Sequence, residues 1–231
     1  MRTAMRWAGL ALAAGLVLVV AVQFWYLGWI AWWKWNNPGE TSFMAREEAA
    51  LQQKNPKAGL RHRWVPYERI SIHLKRAVIT SEDARFSEHE GVDWEAIEKA
   101  YEANLKRGRP VKGGSTITQQ LAKNLLLSGE RTVPRKGQEL LLTLMLETLL
   151  SKQRILEIYL NNVEWGEGVF GAQAAARHYF RVDAARLSPL QAARLAVMLP
   201  APKRFEKRPG SAYVAGRAAT IVARMGAVEL P

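Results

Sequence analysis

Two adjacent carboxylates, Glu82 and Asp83, stand where a helical apolar pattern ends. Leu74 and Val78 lie four residues apart on one face of the predicted helix, and Glu82 follows at the same spacing. This position predicts partial burial, and burial raises the pKa of a carboxyl group towards the range that suits a general base. A second interpretation stays open, in which these acids end a helix and Arg85 neutralises them.

A polar helical pattern follows in the segment GGSTITQQLAKN, residues 113–124. Thr116, Gln120 and Lys123 are spaced by four and three residues and therefore share one helix face. The glycines allow close approach to the backbone, and the free N–H groups of a helix N-terminus favour an anion. The spacing is not that of the Walker phosphate loop, and a solvated polar helix is the alternative interpretation. Two basic segments flank this helix, residues 106–114 and residues 131–136.

Further candidate residues stand later in the chain and in the loop after Glu82. In RKGQE, residues 135–139, Glu139 opens an apolar helix and is either a favourable charge at its N-terminus or a buried functional acid. Residues 152–171 are predicted to be scaffold, with a structural role for Glu157. His89 is predicted to make a structural hydrogen bond, because the chain has only four His and no cluster that would bind a metal.

The elements that must position these groups are almost all helices. A capping box predicts a helix from Thr116 to about Leu127. Residues 139–151 are apolar nearly all round and predict a buried central helix, which residues 152–161 either continue or follow with another. Ser188 and the proline after it predict a helix that stops before Pro200. No alternating apolar run predicts a strand, so the domain is predicted to be mainly α-helical.

The N-terminal region is typical of a membrane anchor. No charged residue lies between Arg6 and Lys34, and the apolar segment 7–33 is long enough to cross a bilayer. Five indole rings, which prefer the headgroup region, crowd its C-terminal end: Trp25, Trp29, Trp32, Trp33 and Trp35. A cleaved signal peptide, the alternative, would have a shorter apolar core and small residues at its cleavage site. We therefore assign residues 1–36 to a cytoplasmic N-terminus and transmembrane anchor, and residues 37–231 to one further domain.

The charge of the chain indicates an anionic partner. The formal net charge is +12, and +10 remains when Arg2 and Arg6 are set aside. Because these two arginines precede the apolar segment, the N-terminus is expected in the cytoplasm and the residues after about Trp35 outside it. There, an anionic lipid or a lipid-linked phosphate is a better-placed partner than nucleic acid. The absence of cysteine excludes disulfide bonds, a cysteine nucleophile and thiolate metal sites.

Together these segments resemble the peptidoglycan glycosyltransferases, glycosyltransferase family 51. EDARFSEHEG resembles the first motif of the family, GGSTITQQLAKN the second, RKGQE the third and KQRILEIYLNN the fourth. The similarity runs from about Val65 to Pro202. The sequence contains neither Ser-x-x-Lys nor Lys-Thr-Gly, the marks of a penicillin-binding acyl-transfer site. The resemblance is therefore to monofunctional members, without transpeptidase activity.

The resemblance implies a lysozyme-like α-helical domain with two lobes and a cleft between them. The smaller lobe dips into the membrane, and residues 94–114 are expected to be its mobile part. The implied reaction joins a glycan chain on undecaprenyl pyrophosphate to the 4-hydroxyl of a lipid II sugar, with inversion. The implied partners are lipid II, the growing lipid-linked strand and the membrane, without nucleic acid; protein partners in cell-wall synthesis or division are unknown. The implied location is the inner membrane, with one span, a cytoplasmic N-terminus and a periplasmic catalytic domain that serves cell-wall biogenesis and cell shape.

The resemblance also implies roles for individual residues. Glu82 would be the general base, and Glu139 would organise the donor side. The substrate-binding positions would be Ser115, Thr116, Gln120, Lys123, Asn124, Arg131 and Lys136, of which Lys123 and Arg131 neutralise the pyrophosphate. The positions that order the site would be Asp83, Phe86, His89 and Gly91. No tightly bound cofactor is expected, and a divalent cation, Mg²⁺ or Mn²⁺, at Glu139 is left open.

Two functions of other classes compete with this interpretation. A lytic transglycosylase or lysozyme-like enzyme would share the fold and one Glu, but it would cleave glycan and need no pyrophosphate site. Lys123, Arg131 and Lys136 argue against it. A non-catalytic, membrane-anchored cell-wall binding protein would need the positive charge but not Glu82.

Overall fold

The computed structural model describes residues 2–108, 113–127, 129–130 and 132–231. These residues form eleven α-helices: α1 Arg2–Trp32, α2 Ser42–Lys54, α3 Ile72–Glu82, α4 Trp94–Arg107, α5 Ile117–Leu126, α6 Val133–Leu149, α7 Lys152–Asn162, α8 Gly171–Phe180, α9 Pro189–Met198, α10 Pro202–Phe205 and α11 Ala212–Arg224. They also form three short strands: β1 Arg61–His62, β2 Glu164–Gly166 and β3 Val169–Phe170. The prediction of a mainly α-helical fold is confirmed.

The chain divides into two compact units, with the boundary between Asn37 and Pro38. The first unit contains α1, in which the segment Met5–Trp32 has a mean hydropathy of 2.2 and is long and apolar enough to cross a membrane. Near its C-terminal end the rings of Trp25 and Trp29 meet edge to face. This single N-terminal apolar helix suggests a membrane anchor.

The core of the second unit is built from helices in two groups. In the first, α3 packs against α9 and α11; in the second, α5 packs against α6 and α7, and α7 packs against α8. Leu74, Val78, Leu121, Leu156 and Leu195 are at most 1% exposed, so each of these helices turns an apolar face inward. Burial of these faces fixes the position of the polar residues at the ends of α3 and α5.

The helix starts that the sequence predicts are formed by the expected side chains. At α5, the Thr116 hydroxyl accepts from the Gln119 N–H, and the Gln119 side chain accepts from the Thr116 N–H. Ser188 and Gln191 form the same reciprocal cap at α9, which ends before Pro200. These capping boxes confirm both predicted helices, since each satisfies backbone donors that a helix start leaves free.

Helix α6 differs from the prediction for residues 139–151. It begins at Val133, and the expectation of burial nearly all round is wrong, because Leu140, Leu141 and Leu144 are 38%, 47% and 46% exposed. The packing partners cover one face, so the buried residues are Glu139, Leu142, Thr143 and Leu146. Helix α6 ends at Leu149 and α7 begins at Lys152, with Leu150 and Ser151 as the caps between them, so α7 is a separate helix.

A three-stranded sheet is the element that the sequence does not predict. Its order is β1-β3-β2, with β1 parallel to β3 and β2 antiparallel to β3. The strands are two or three residues long, and β1 is exposed, so no alternating apolar run marks them. Asn161 of α7 holds the chain just after β1. Its Oδ1 accepts from the Val65 N–H and its Nδ2 donates to the Val65 carbonyl, both at 2.9 Å.

Candidate active site

Glu82 is the last residue of α3, and its carboxyl group is partly buried. Its Oε2 accepts a hydrogen bond of 3.0 Å from Gln120 Nε2, and its Oε1 lies 3.5 Å from the Ser81 hydroxyl. Burial raises the pKa of Glu82, the two hydrogen bonds oppose the rise, and the charge of Asp83 adds to it. Within the described part of the chain, no cation pairs with this carboxylate.

Gln120 is itself held by a buried tyrosine. Tyr159 of α7 is fully buried, and its hydroxyl donates to Gln120 Oε1 at 2.9 Å. A carboxylate can only accept, so the amide must turn its Nε2 towards Glu82, and Tyr159 supports this orientation. Burial, together with the charges of Glu82 and Asp83, raises the pKa of Tyr159 well above its ordinary value, so the phenol keeps its proton. Three helices thus meet in one hydrogen-bonded chain.

Asp83 links the end of α3 to the start of α5. It is buried, and its Oδ2 accepts the backbone N–H of Ile117 at 3.0 Å. Its Oδ1 lies 2.9 Å from His89 Nε2, while the Gly91 N–H donates to His89 Nδ1 at 3.1 Å. Because Nδ1 accepts, the imidazole proton is on Nε2 and faces Asp83. Both carboxylate oxygens are engaged, so Asp83 ties the loop after α3 to the start of α5 and has no oxygen without a partner.

Gly91 occupies a position where a side chain does not fit. Its φ is +88°, and an added Cβ would lie 2.7 Å from Thr143 Cγ2 and 2.9 Å from Glu147 Cγ. The Thr116 hydroxyl donates to the Gly91 carbonyl at 2.7 Å. The loop after Glu82 is therefore clamped between α5 and α6. Thr116, predicted to bind substrate, is buried, and its hydroxyl is engaged inside the protein.

The remaining residues of the first motif form the base of this loop. Phe86 is fully buried, and the Lys152 ammonium lies 4.6 Å from the centre of its ring. Arg85 pairs with Asp93 at 2.8 Å and also with Glu95. The guanidinium that the sequence offered as a neutralising partner of Glu82 is thus occupied elsewhere.

Glu139 lies in the second turn of α6, and it is 3% exposed. Its Oε2 accepts from Arg135 at 2.6 Å, and its Oε1 accepts from Lys136. Glu139 is therefore a buried acid, and its functional role stays a prediction. Its carboxylate holds two cations side by side at the start of α6.

The other predicted substrate-binding residues differ in exposure. Lys123 is exposed one turn after Gln120 on α5, Ser115 is exposed just before the helix, and the Lys136 side chain is half exposed. Asn124 is buried in the packed part of α5. Arg131 lies outside the described residues. The structure thus places Gln120, Lys123 and Lys136 where a ligand can reach them.

Two groups of side chains place carboxylate or imidazole atoms close enough together to be compared with a divalent-cation site. The ligand atoms of Asp83, His89 and Asp93 lie within 4.8 Å of one another. However, Asp83 and His89 bind each other and the backbone, and Asp93 binds Arg85 and a backbone N–H. Both oxygens of Glu139 accept from cations. Neither donor set fits a divalent cation.

The sequence interpretation did not assign site roles to three residues. Glu147 of α6 accepts from Thr118 at 2.5 Å and from Lys152 at 2.9 Å, and it joins the second and fourth motifs. Tyr159 falls in the segment that is predicted to be scaffold, although it holds Gln120. Arg135 is not among the predicted site residues, although its spacing of four residues from Glu139 indicates an ion pair on one helix face.

Comparison with known proteins assigns the family. The family model described as Transglycosylase matches residues 47–226. A protein of Janthinobacterium sp. (strain Marseille), named biosynthetic peptidoglycan transglycosylase, is 58% identical over 94% of each chain. A protein of the same name from Azoarcus sp. (strain BH72) is 55% identical over 100% of both chains. With the four motif segments assembled around Glu82 and α5, this chain belongs to the transglycosylase family of peptidoglycan glycosyltransferases.

Proposed function

We propose that this chain polymerises lipid II into glycan strands and releases undecaprenyl pyrophosphate. The family makes it a peptidoglycan glycosyltransferase, and its relatives carry the name biosynthetic peptidoglycan transglycosylase. The observation that carries the proposal is the partly buried Glu82, which binds neutral donors and, among the described residues, no cation. Such a carboxylate is suited to take a proton.

In the proposed step, Glu82 removes the proton from the 4-hydroxyl of the acceptor sugar. The oxygen forms a bond to the anomeric carbon of the donor, and the bond from that carbon to the pyrophosphate oxygen breaks. The electron pair of the broken bond stays on the pyrophosphate. Gln120 holds the Glu82 carboxylate in place through this step, and Tyr159 holds Gln120.

The leaving pyrophosphate requires positive charge near the donor. Lys123 is exposed on the same face of α5 as Gln120, and Lys136 is half exposed at the start of α6. Fixed cations stabilise the charge that develops on a leaving group in a cleft. We assign Lys123, Lys136 and Arg131 to this task.

Glu139 serves the donor side through the cations that it holds. Protonation of Glu139 would break its ion pairs with Arg135 and Lys136, so it is a poor candidate for a second base. Its buried carboxylate instead fixes the position of these two side chains. Glu139 is thereby a positioning residue for the leaving-group site.

Substrates with lipid tails place the enzyme at a membrane surface. We assign α1 as the anchor and α4 as a contact with the outer leaflet. Helix α4 exposes Trp94, Tyr101 and Leu105 by 71%, 68% and 69%, and it ends in Lys106 and Arg107. Aromatic side chains with adjacent basic residues suit the headgroup region of an anionic bilayer.

The test is a polymerisation assay with purified full-length protein and lipid II. We expect wild-type protein to give a ladder of glycan strands on a gel, and Glu82→Gln to reduce the rate by roughly 10²–10⁴. The amide has the size of the carboxyl group, so the variant should retain the thermal unfolding profile of the wild type.

Glu88→Gln is the matched control, because Glu88 lies in the same segment and its side chain is 68% exposed. This variant should keep normal activity. A folded Glu82→Gln protein that polymerises at the normal rate would remove Glu82 as the base. Release of small fragments from finished glycan, without strand formation, would instead identify a lytic enzyme.

A further inference from the structure

A groove of about 550 Å³ lies in the second unit, apart from the residues of the proposed reaction. One wall is formed by residues 63–69, and the other by α8 and the turn that follows it. Its lining contains four arginines: Arg63, Arg69, Arg177 and Arg186. A volume of this size is in the range of small-ligand sites.

One wall of the groove carries an ion-pair network centred on Asp183. Asp183 accepts from Arg177 at 2.5 Å, from Arg186 at 3.1 Å and from Gln173 at 2.7 Å. One carboxylate therefore fixes two guanidinium groups before any ligand arrives. Arg63 and Arg69 are exposed, and within the described residues their side chains make no hydrogen bond or ion pair. Four arginines against one aspartate leave the groove strongly positive.

The groove and Glu82 lie at opposite ends of one helix. Arg69 ends the 3-10 turn Tyr67–Arg69, which leads directly into the start of α3, while Glu82 is the last residue of α3. The eleven residues of α3 rise by about 15 Å along the helix axis. The groove is therefore a site distinct from the proposed base.

We propose that this groove binds the carboxylate groups of the nascent peptidoglycan strand. The proposal rests on the proposed function, which makes a polymer that can reach from Glu82 to a second site. Guanidinium groups bind carboxylates through two parallel hydrogen bonds, and Arg63 and Arg69, whose side chains make no such bond within the described residues, can offer this geometry to a ligand. Trp64 and Pro66 add an apolar wall for the sugar and peptide parts of the strand.

An anionic lipid is a poorer occupant of the groove. None of the large exposed apolar side chains described for this chain lines it; in α4 and α6 they include Trp94, Tyr101, Leu105 and Leu141. Trp64 and Pro66 would offer a phospholipid in the groove far less apolar surface than two acyl chains need. A soluble, carboxylate-bearing polymer has no such requirement.

The test measures binding by full-length Glu82→Gln protein in neutral detergent micelles, so that no polymerisation occurs. The probe is a set of lipid-free peptidoglycan fragments that retain their stem peptides. We expect Arg63→Glu with Arg69→Glu to weaken fragment binding by about tenfold or more, because two charge-assisted contacts are lost. The matched control is Arg217→Glu with Arg224→Glu, which makes the same charge change at exposed positions of α11 and should bind normally.

Two further probes distinguish a carboxylate-bearing strand from an anionic lipid. The same fragments with amidated carboxyl groups should bind weakly to the unaltered groove, and phosphatidylglycerol added to the micelles should bind both double variants equally. Normal fragment binding by the groove variant, equal losses in both double variants, undiminished binding of amidated fragments, or a loss confined to phosphatidylglycerol would each overturn the proposal. If the charge reversal prevents folding, Arg63→Gln with Arg69→Gln replaces it and is judged by the same outcomes. The lipid II assay with wild-type protein reports separately on the proposed function.

Discussion

Glu82 and Glu139 are two carboxylates with different partners, and this difference fits the different roles proposed for them. Glu82 binds an amide and lies near a hydroxyl, and burial raises its pKa. Glu139 is more deeply buried but is held by two cations. A base needs an oxygen that can accept a proton without breaking an ion pair, and only Glu82 of the two offers one.

Tyr159→Phe tests whether Tyr159 orients the Gln120 amide against the Glu82 carboxylate. Loss of the phenol frees the Gln120 amide, which weakens the hydrogen bond that lowers the pKa of Glu82. The pKa of Glu82 should therefore rise further, and the acid side of the kcat/KM profile should move to higher pH. Activity should fall most at low pH and recover in part at high pH. The measurement is the pH dependence of initial polymerisation rates.

Tyr67→Phe is the matched control for this prediction. Tyr67 is also buried, but in the described part of the chain its hydroxyl has no hydrogen-bond partner. Its loss should leave the pH profile unchanged. A Tyr159→Phe profile that coincides with the wild-type curve would show that Gln120 is oriented without Tyr159.

Among the elements, we expect the loop between α3 and α4 to lose stability when a single methyl group is added at Gly91. Gly91→Ala adds a Cβ at 2.7 Å from Thr143 Cγ2 and places a side chain at a φ of +88°. Gly108→Ala also places a side chain at a positive φ, +61°, but into open space. We expect Gly108→Ala to lower the free energy of unfolding by about 1 kcal/mol through backbone strain alone. Gly91→Ala should cost clearly more, with a loss of activity because the loop holds Asp83.

Chemical denaturation of the two purified variants in the same detergent checks this difference. Equal losses of stability would mean that α6 yields at Thr143 and that the contact with Gly91 is not a constraint. Normal activity of a destabilised Gly91→Ala protein would separate the loop packing from the position of Asp83.

Local chemistry explains which elements the sequence predicts. The capping boxes of α5 and α9 lie within four residues, so they can be read directly. The sheet depends on β1 meeting β3, more than one hundred residues later, and no local pattern specifies that pairing. The sequence does not reveal the exposed face of α6, because a leucine reads the same whether or not a neighbouring helix covers it.

In the candidate site, too, local features are predictable from the sequence and contacts between distant residues are not. The positions of Glu82, Gln120 and Lys123 followed from helical spacing, and their family roles followed from the motif segments. The bond from Tyr159 to Gln120 joins residues 39 positions apart in different helices, and the contacts of Glu147 join α6 to α5 and α7. Such contacts depend on how whole helices pack, which periodicity within one helix does not reveal.

At the scale of the whole chain, the orientation of α1 decides where the chemistry takes place. Arg2 and Arg6 precede the span, so we expect everything after about Trp35 outside the cytoplasm. A reporter that is active only in the cytoplasm, fused after Pro231, should give no signal, while one active only outside should give a strong signal. The reverse pattern in both fusions would invert the orientation and leave the proposed enzyme away from an external substrate.

A buried carboxylate joins three parts of the second unit. Glu164 of β2 is 7% exposed, and its Oε1 lies 3.5 Å from the Lys203 ammonium of α10. Lys203 also pairs with Glu47 of α2 at 2.5 Å, so its charge is shared. Burial raises the pKa of Glu164 to about 7, Lys203 opposes the rise, and the charges of Glu47 and Glu206 add to it.

This raised pKa makes part of the folding stability depend on pH. Between the ordinary carboxyl pKa of 4.5 and the folded value of about 7, the folded chain binds more protons at Glu164 than the unfolded chain does. The free energy of unfolding must therefore fall as pH rises through this window, by roughly 3 kcal/mol from this group. Glu164→Gln should be close to wild type at pH 5 and more stable than wild type at pH 8, because a neutral amide removes the cost of a buried charge. Chemical denaturation across this range measures the difference, with Glu167→Gln as control, since pairing with Lys54 lowers the pKa of exposed Glu167. If Glu164→Gln is the less stable protein at pH 8, the ion pair with Lys203 outweighs the burial of Glu164, and the cluster stabilises the charged form.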